Sequence, residues 1–321
     1  MKRLAIVVCT LYSVLCTLSL SAQTLNIQVG NVTYRFPAAQ TGEMPFEGGS
    51  TLTVMNKTFA LSEISRMYVD ESAVADSVVT VAYNGNAASV TVAGNIAQYL
   101  TIAQSGAHVS ITQSSNTVDE ITYILSGSST NGGFYMAGSY KATIELNGLT
   151  LTNTSAIYSG SAIHIQNGKR IKVKVATGTT NTLVDAANGS QKGCLYIKGH
   201  AEFAQKGTLN ITGRTKHGIK IGEYMTLKNA TLNILSAVND GINCSQYFLM
   251  ESGTITINNV GDDGIQCDID ATATGQTTDH EGEDSGNAYI LGGSITVTGA
   301  KKGIKCDGEV LVSDEATVIT R

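Results

Sequence analysis

Lys216–Gly222 reads KHGIKIG, Asn239–Ser245 reads NDGINCS and Asp262–Asp268 reads DDGIQCD, each 23 residues after the one before. A fourth copy, Lys301–Asp307 (KKGIKCD), follows 39 residues later, which is one repeat plus a 16-residue insertion. Weaker copies stand upstream at Gly160–Gln166 (GSAIHIQ) and Lys192–Lys198 (KGCLYIK). Aligned, the copies give one apolar column of Ile163, Leu195, Ile219, Ile242, Ile265 and Ile304. Two residues on, a second column holds Ile165, Ile197, Ile221, Cys244, Cys267 and Cys306. A spacing of two places both columns on one face of a strand.

Each repeat carries two further strand signals. One runs through Tyr224–Leu227, Tyr247–Met250 and Ala288–Leu291. The other runs through Thr231–Leu235, Thr254–Asn258, Ser294–Thr298 and Ala316–Thr320. Three short β segments per repeat of about 23 residues predict an all-β parallel β-helix. Glycine and Asn/Asp at the corners supply the bends, and proline, which would interrupt the ladders, is scarce at 2 residues against 34 glycines. No apolar period near 3.6 survives, so amphipathic helices are excluded. Thr143–Leu151 and Ile171–Val175 read as earlier coils, with His108–Thr112 and Ile121–Leu125 the first. The predicted helical domain therefore covers 105–321. Residues 23–104 are β-rich but irregular and predict a small N-terminal β module or cap, since an open coil end invites pairing with other chains.

The N-terminus has the order of a secretory signal peptide over 1–22: Lys2 and Arg3, an apolar run to about Leu20, then Ser21-Ala22. An exported, periplasmic, cell-surface or secreted protein is expected, with no membrane span after cleavage. The formal charge of −5 becomes −7 when Lys2 and Arg3 leave, which argues against an electrostatic nucleic-acid partner. No tryptophan occurs, so any sugar-stacking surface has to be built from tyrosine. Cleavage leaves four cysteines: Cys194, Cys244, Cys267 and Cys306. An even count in an exported chain suggests disulfides. The column of Cys244, Cys267 and Cys306 favours small apolar core residues instead, because in-register parallel neighbours bridge only under strain.

The chemistry concentrates at the corner before each glycine. Down the repeats the residue pair there is Lys216-His217, Asn239-Asp240, Asp262-Asp263 and Lys301-Lys302. Acids on adjacent coils, with cations above and below, repel one another by roughly 3 kcal/mol per pair at an effective dielectric near 20. A divalent cation offsets that repulsion. Oxygen ligands from Asp240, Asp262 and Asp263, with Gln266 and Asp268 nearby, point to Ca²⁺ rather than zinc, because no His or Cys faces this corner within the acidic pair. Asn239 and Asn243 are further carbonyl donors. The plainer reading is that Asn-Asp-Gly and Asp-Asp-Gly are turn formers, which accounts for one acid per corner but poorly for three. The insertion around Asp270, Asp279, His280, Glu281, Glu283 and Asp284 either flanks this site or is a solvated acidic loop. Lys302, one coil beyond Asp263, is either a general base with a depressed pKa or the ion-pair partner of the acids. Lys220, Lys301 and Lys305 are candidates for pairing with substrate acids, and Tyr196 and Tyr224 for stacking on sugar rings.

The run Ile121–Asn153 (ITYILSGSSTNGGFYMAGSYKATIELNGLTLTN), with DGINC from Asp240 and GDDGIQ from Gly261, resembles the secreted carbohydrate-binding β-helix family. That family is similar in fold to the calcium-dependent pectate lyases of polysaccharide lyase family 9. The resemblance covers about 105–321. It implies a right-handed parallel β-helix, Ca²⁺ on the corner acids and binding to plant polysaccharides such as polygalacturonate or cellulose. The lyase relatives carry a paired Asp with a third Asp three residues on, then a catalytic lysine about a coil and an insertion later. Here the pair is Asp262-Asp263, the third position holds the neutral Gln266, and Lys302 falls where the base is expected. Outside this region, TFALSEISRMYV from Thr58 resembles a segment recurrent in exported Bacteroidetes proteins.

Three functions follow. The first is a calcium-dependent protein that binds an acidic, polygalacturonate-like polysaccharide without turning it over. The second is a polysaccharide lyase acting by Ca²⁺-assisted β-elimination with Lys302 as base. The third is a structural cell-surface β-helix whose turn acids have no ligand.

Overall fold

In the computed structural model, residues 23–269 and 285–321 are described. Residues 1–22, expected to be a signal peptide, and the insertion residues 270–284, including Asp270, Asp279, His280, Glu281, Glu283 and Asp284, lie outside them. Among the described residues the chain is all-β, broken only by short 3-10 turns such as Ala38–Gln40 and Ile157–Gly160. It divides into two compact units. The first runs to Val81 and includes Ser89–Leu100; the second takes Ala82–Ala88 and Thr101–Arg321.

In the first unit, strand Thr24–Val29 pairs antiparallel with Val32–Pro37 and with Ile64–Asp70. A separate antiparallel sheet joins Phe46–Glu47, Thr51–Val54 and Lys57–Ala60. The alternation VTYRFP in Val32–Pro37 turns Val32, Tyr34 and Phe36 inward. Phe59 meets Tyr34 and Phe36 edge-on, at ring-centroid distances of 5.1 and 6.0 Å.

The second unit carries the repeats, and each contributes one strand to each of three parallel ladders. The strands Ile163–Asn167, Gly193–Ile197, His217–Ile221, Ile242–Cys244, Asp263–Cys267 and Lys302–Cys306 follow one another in sheet order. A second ladder runs from Ile171–Val175 through Ala201–Ala204, Met225–Leu227, Phe248–Met250 and Ala288–Ile290 to Val310–Val312. The third runs from Thr180–Val184 through Thr208–Gly213, Thr231–Ala237, Thr254–Asn258 and Gly293–Thr298 to Ala316–Thr320.

Register follows the columns of the sequence. Ile163, Leu195, Ile219, Ile242, Ile265 and Ile304 are direct partners in turn. The next column aligns in the same way and brings Cys244, Cys267 and Cys306 into one stack. All but the terminal members, Ile304 and Cys306, are buried. A slip of one residue would turn every one of these side chains to the outside, forfeiting about 2 kcal/mol per buried aliphatic residue. The four cysteines Cys194, Cys244, Cys267 and Cys306 are free thiols. Among the described residues, no helix is long and apolar enough to cross a membrane.

Candidate functional site at the acidic corner

Asp240 and Asp263 lead into strands that start two residues on at Ile242 and at Asp263 itself, and each precedes a glycine that the packing requires. A Cβ on Gly241 would stand 2.7 Å from the Gly264 carbonyl oxygen and 2.8 Å from Ile257 Cγ2. One on Gly264 would stand 2.4 Å from the Gly303 carbonyl oxygen. With the corner drawn in this tightly, backbone bonds set the repeats directly over one another. Asn239 N donates to Lys216 O (2.8 Å), Asp262 N to Asn239 O (3.2 Å) and Lys301 N to Asp262 O (2.7 Å). Side by side with that file, Asp263 is in register with Lys302. The pairs read from the sequence are thus stacked, cation, acid, acid, cation.

Asp240, Asp262 and Asp263 each present an oxygen within 4.8 Å of the others. Asp240 is fully buried, Asp263 is 3% exposed and Asp262 is half-buried. Asp240 Oδ1 accepts from the Asp263 amide at 3.2 Å, and its Oδ2 accepts from Asn243 Nδ2 at 2.9 Å. His217 Nδ1 lies 3.1 Å from the same Oδ2. The contact is close enough to lower the Asp240 pKa. A histidine of the neighbouring coil, from the Lys216-His217 pair, therefore reaches the acids. It enters from the preceding repeat, at the position equivalent to Asp240, and touches a carboxylate instead of offering itself as a ligand.

The two buried acids differ electrostatically. Burial raises the Asp240 pKa, but the His217 contact, the Asn243 hydrogen bond and the Asp263 amide outweigh it and hold the carboxyl below its ordinary range. Burial also pushes Asp263 up, and there the negative charges of Asp262 and Asp240 add to the rise against the pull of Lys305 and Lys302. Burial pushes His217 down, aided by Lys216 and Lys220 and only partly opposed by Asp240.

The other predicted residues are distributed around this cluster. Lys301 Nζ stands 3.3 Å from Asp262 Oδ1, and Lys305 Nζ 3.7 Å from Asp263 Oδ2. Lys302 is exposed. Lys220 Nζ donates to Asn243 Oδ1 (2.5 Å) and Ser245 Oγ (2.6 Å). An ammonium can only donate and a carboxylate only accept, so Asn243 turns its carbonyl to Lys220 and its amide to Asp240 and to Asp268 Oδ2 at 3.4 Å. Asn243 is consequently a brace for the acids and offers them no carbonyl ligand. Gln266 Nε2 donates to Asp268 Oδ1 at 2.5 Å, and Asn243 links Asp268 to Asp240. Tyr196 is half-exposed on the outer face of the same sheet, in register with Lys220. Tyr224 is 5% exposed and sandwiched between His200 (4.4 Å, 13°) and Tyr247 (4.6 Å, 8°). Its ring faces are covered, so it is not a sugar platform.

Sequence reasoning missed His217 as a partner of the acids and Lys305 as the lysine nearest the Asp263 carboxylate. The alignment already held the signal for His217, at the same repeat position as Asp240. Three converging carboxylates with no nitrogen or sulfur ligand suit a hard, oxygen-seeking dication, and Asp262 leaves the cluster open on its half-exposed side.

Residues 105–321 match the family described as carbohydrate-binding domain-containing protein. Among solved structures, the chain is similar to a polysaccharide lyase-like protein from C. thermocellum, solved as a gadolinium derivative. The two share 19% identity with a TM-score of 0.58, over 75% of this chain and 99% of that one. At that identity the likeness is one of fold. No curated protein matches.

Proposed function

From the premise that the chain belongs to the carbohydrate-binding domain-containing protein family, we propose that it is an exported, calcium-dependent protein that binds an acidic, polygalacturonate-like polysaccharide at the Asp240–Asp262–Asp263 corner. The three ladders are, in this reading, the faces of a right-handed parallel β-helix. The observation that carries the proposal is the convergence of three carboxylates within 4.8 Å, two of them buried. Such crowding is costly without a counter-ion, and Asp263 registers that cost in its raised pKa. Asp240, Asp262 and Asp263 would hold Ca²⁺, which would supply positive charge for a uronate carboxylate at the open side of the corner. Asn243 and His217 fix Asp240, and Lys301 and Lys305 flank the opening, where they meet the negative charge of the glycan.

Titration calorimetry with polygalacturonate in CaCl₂ and in EDTA tests the proposal. Binding is expected only with calcium and is expected to fall at least tenfold in Asp262→Asn. Equal affinity in EDTA would overturn it.

A lyase reading is favoured by the register of Lys302 with Asp263. As base, Lys302 would remove the proton next to the uronate carboxylate; the electron pair forms the new C=C bond as the neighbouring glycosidic C–O bond breaks, the departing oxygen takes a proton from water, and an unsaturated, ultraviolet-absorbing end remains. Incubation with polygalacturonate and CaCl₂ decides it. Release of that product, abolished in Lys302→Ala, supports the lyase, and retained binding with no product excludes it.

A further inference from the structure

Tyr135, His164 and Tyr196 are direct partners on successive strands of the sheet that carries the acidic corner. The same outward file continues through Lys220, Asn243 and Gln266 to Lys305. One side chain per strand thus forms a line across seven strands, spanning about 29 Å at about 4.8 Å per step. Its first part is aromatic and its last part polar and cationic, alongside the acids.

The aromatic part is built with care. His164 is 7% exposed and wedged edge-to-face between Tyr135 (4.9 Å) and Tyr196 (5.0 Å). Its Nδ1 is 3.2 Å from the Tyr158 carbonyl oxygen, and its Nε2 is 3.2 Å from Gln166 Oε1 and 3.3 Å from Gln191 Nε2. The imidazole is fixed, and it holds the two half-exposed tyrosines apart. Tyr158 adds a third ring, stacked on Tyr135 at 5.4 Å and 28°. To present it, the chain keeps Tyr158 and Ser159 both in the left-handed region, at φ 53° and 60°, where non-glycine residues are seldom found in succession. Such strain is concentrated where a side chain must be aimed. By contrast, Tyr224 is stacked on both sides, between His200 and Tyr247.

We propose that Tyr135, Tyr158 and Tyr196 form a subsite for sugar rings, and that a uronate chain lies along this file, crossing the strands, with its far end at the acidic corner. The inference rests on the carbohydrate-binding reading of that corner and extends it to a track. Aromatic rings take the C–H faces of pyranoses, and the polar end of the file carries the cationic Lys220 and Lys305, which complement uronate carboxylates. The strand step is close to the length of one sugar in an extended 1,4-linked chain. Each strand therefore faces about one sugar, and the two outer tyrosines of the file meet alternate sugars.

The test is calorimetric titration of oligogalacturonides of two to ten sugars in saturating CaCl₂, against wild type, Tyr135→Ala, Tyr196→Ala and Tyr196→Phe. In wild type, affinity is expected to rise with length up to about seven sugars, one per strand of the file, and then level off. Both alanine variants should lose about tenfold for the long oligomers and keep the wild-type affinity for the trimer, while Tyr196→Phe, which keeps the ring, should match wild type. A short oligomer that binds as tightly as a long one, or alanine variants that bind every length as wild type does, would overturn the track and leave the corner reading intact. Loss in Tyr196→Phe equal to that in Tyr196→Ala would also overturn it, because the ring face would not be the contact. If no oligomer of any length binds wild type, the corner reading fails together with the track.

Discussion

Replacing Asp263 by Asn should reverse in sign depending on calcium. In the absence of the metal, the Asp263 charge faces two others. At up to 4.8 Å and an effective dielectric near 20, its repulsion from buried Asp240 is about 3 kcal/mol, and that from the half-exposed Asp262 roughly half as much after screening. Lys305, 3.7 Å away with its side chain 38% exposed, returns about 2 kcal/mol after the same discount. Repulsion wins, in agreement with the raised pKa of Asp263. Asp263→Asn keeps the side-chain volume and the backbone amide that bonds Asp240, so in EDTA at pH 7 it should be more stable than wild type by about 1–3 kcal/mol. The sign with pH follows. A carboxyl whose folded pKa is raised destabilises the folded state at neutral pH, and the penalty disappears as pH falls through the folded pKa. The advantage of the variant in EDTA should therefore shrink on acidification. On the proposed calcium reading, wild type should gain about 2.7 kcal/mol with the ion at 100 times its dissociation constant, and the variant, lacking a ligand, far less. The order of stability then inverts. Urea unfolding followed by far-ultraviolet circular dichroism, in EDTA and in CaCl₂, measures all four values. A variant less stable than wild type in EDTA would refute the electrostatic argument. Equal calcium stabilisation of both proteins would refute the assignment of Asp263 as a ligand.

Three other outcomes are expected. Gly241→Ala should lose about 2–4 kcal/mol, read from the urea midpoint, because its Cβ would press on the Gly264 carbonyl and on Ile257, neither of which has room to retreat. His217, pushed down chiefly by burial, favours folding while neutral; its contribution is complete above about pH 6.5 and lost as pH falls below that value. Thermal melts of wild type between pH 7.5 and 5.5 should fall more steeply than those of His217→Asn. A thiol reagent should label half-exposed Cys306 in the native protein and reach buried Cys194, Cys244 and Cys267 only on unfolding.

The repeat was legible because register in a parallel stack is periodic information. A residue every 23 positions becomes a partner across one strand spacing, and the period of two sends alternate residues inward. Hence the columns of Ile219, Ile242 and Ile265, the stack of Cys244, Cys267 and Cys306, and the piling of Asp240 beside Asp262 and Asp263 could all be read from the chain before any coordinate. The glycine at each corner could be read as well, although its reason could not. The clash that forbids a Cβ at Gly241 is with a carbonyl 23 residues away.

What tertiary structure decided is which atoms meet once the columns are stacked. The sequence put Lys302 next to Asp263, and the backbone register agrees, yet Lys305 brings its ammonium to 3.7 Å of that carboxylate. Asn243 could have turned either end of its amide to the acids; Lys220 on the neighbouring strand settles it. Tyr196 and Tyr224 are both sugar-stacking candidates in the sequence, but one lies on an outward strand position and the other in a corner closed by His200 and Tyr247. Long side chains reach farther than one strand spacing, so their partners depend on rotamer and on neighbours from other repeats. The order of residues along the chain determines the columns, and only the packed set of columns determines the contacts within them.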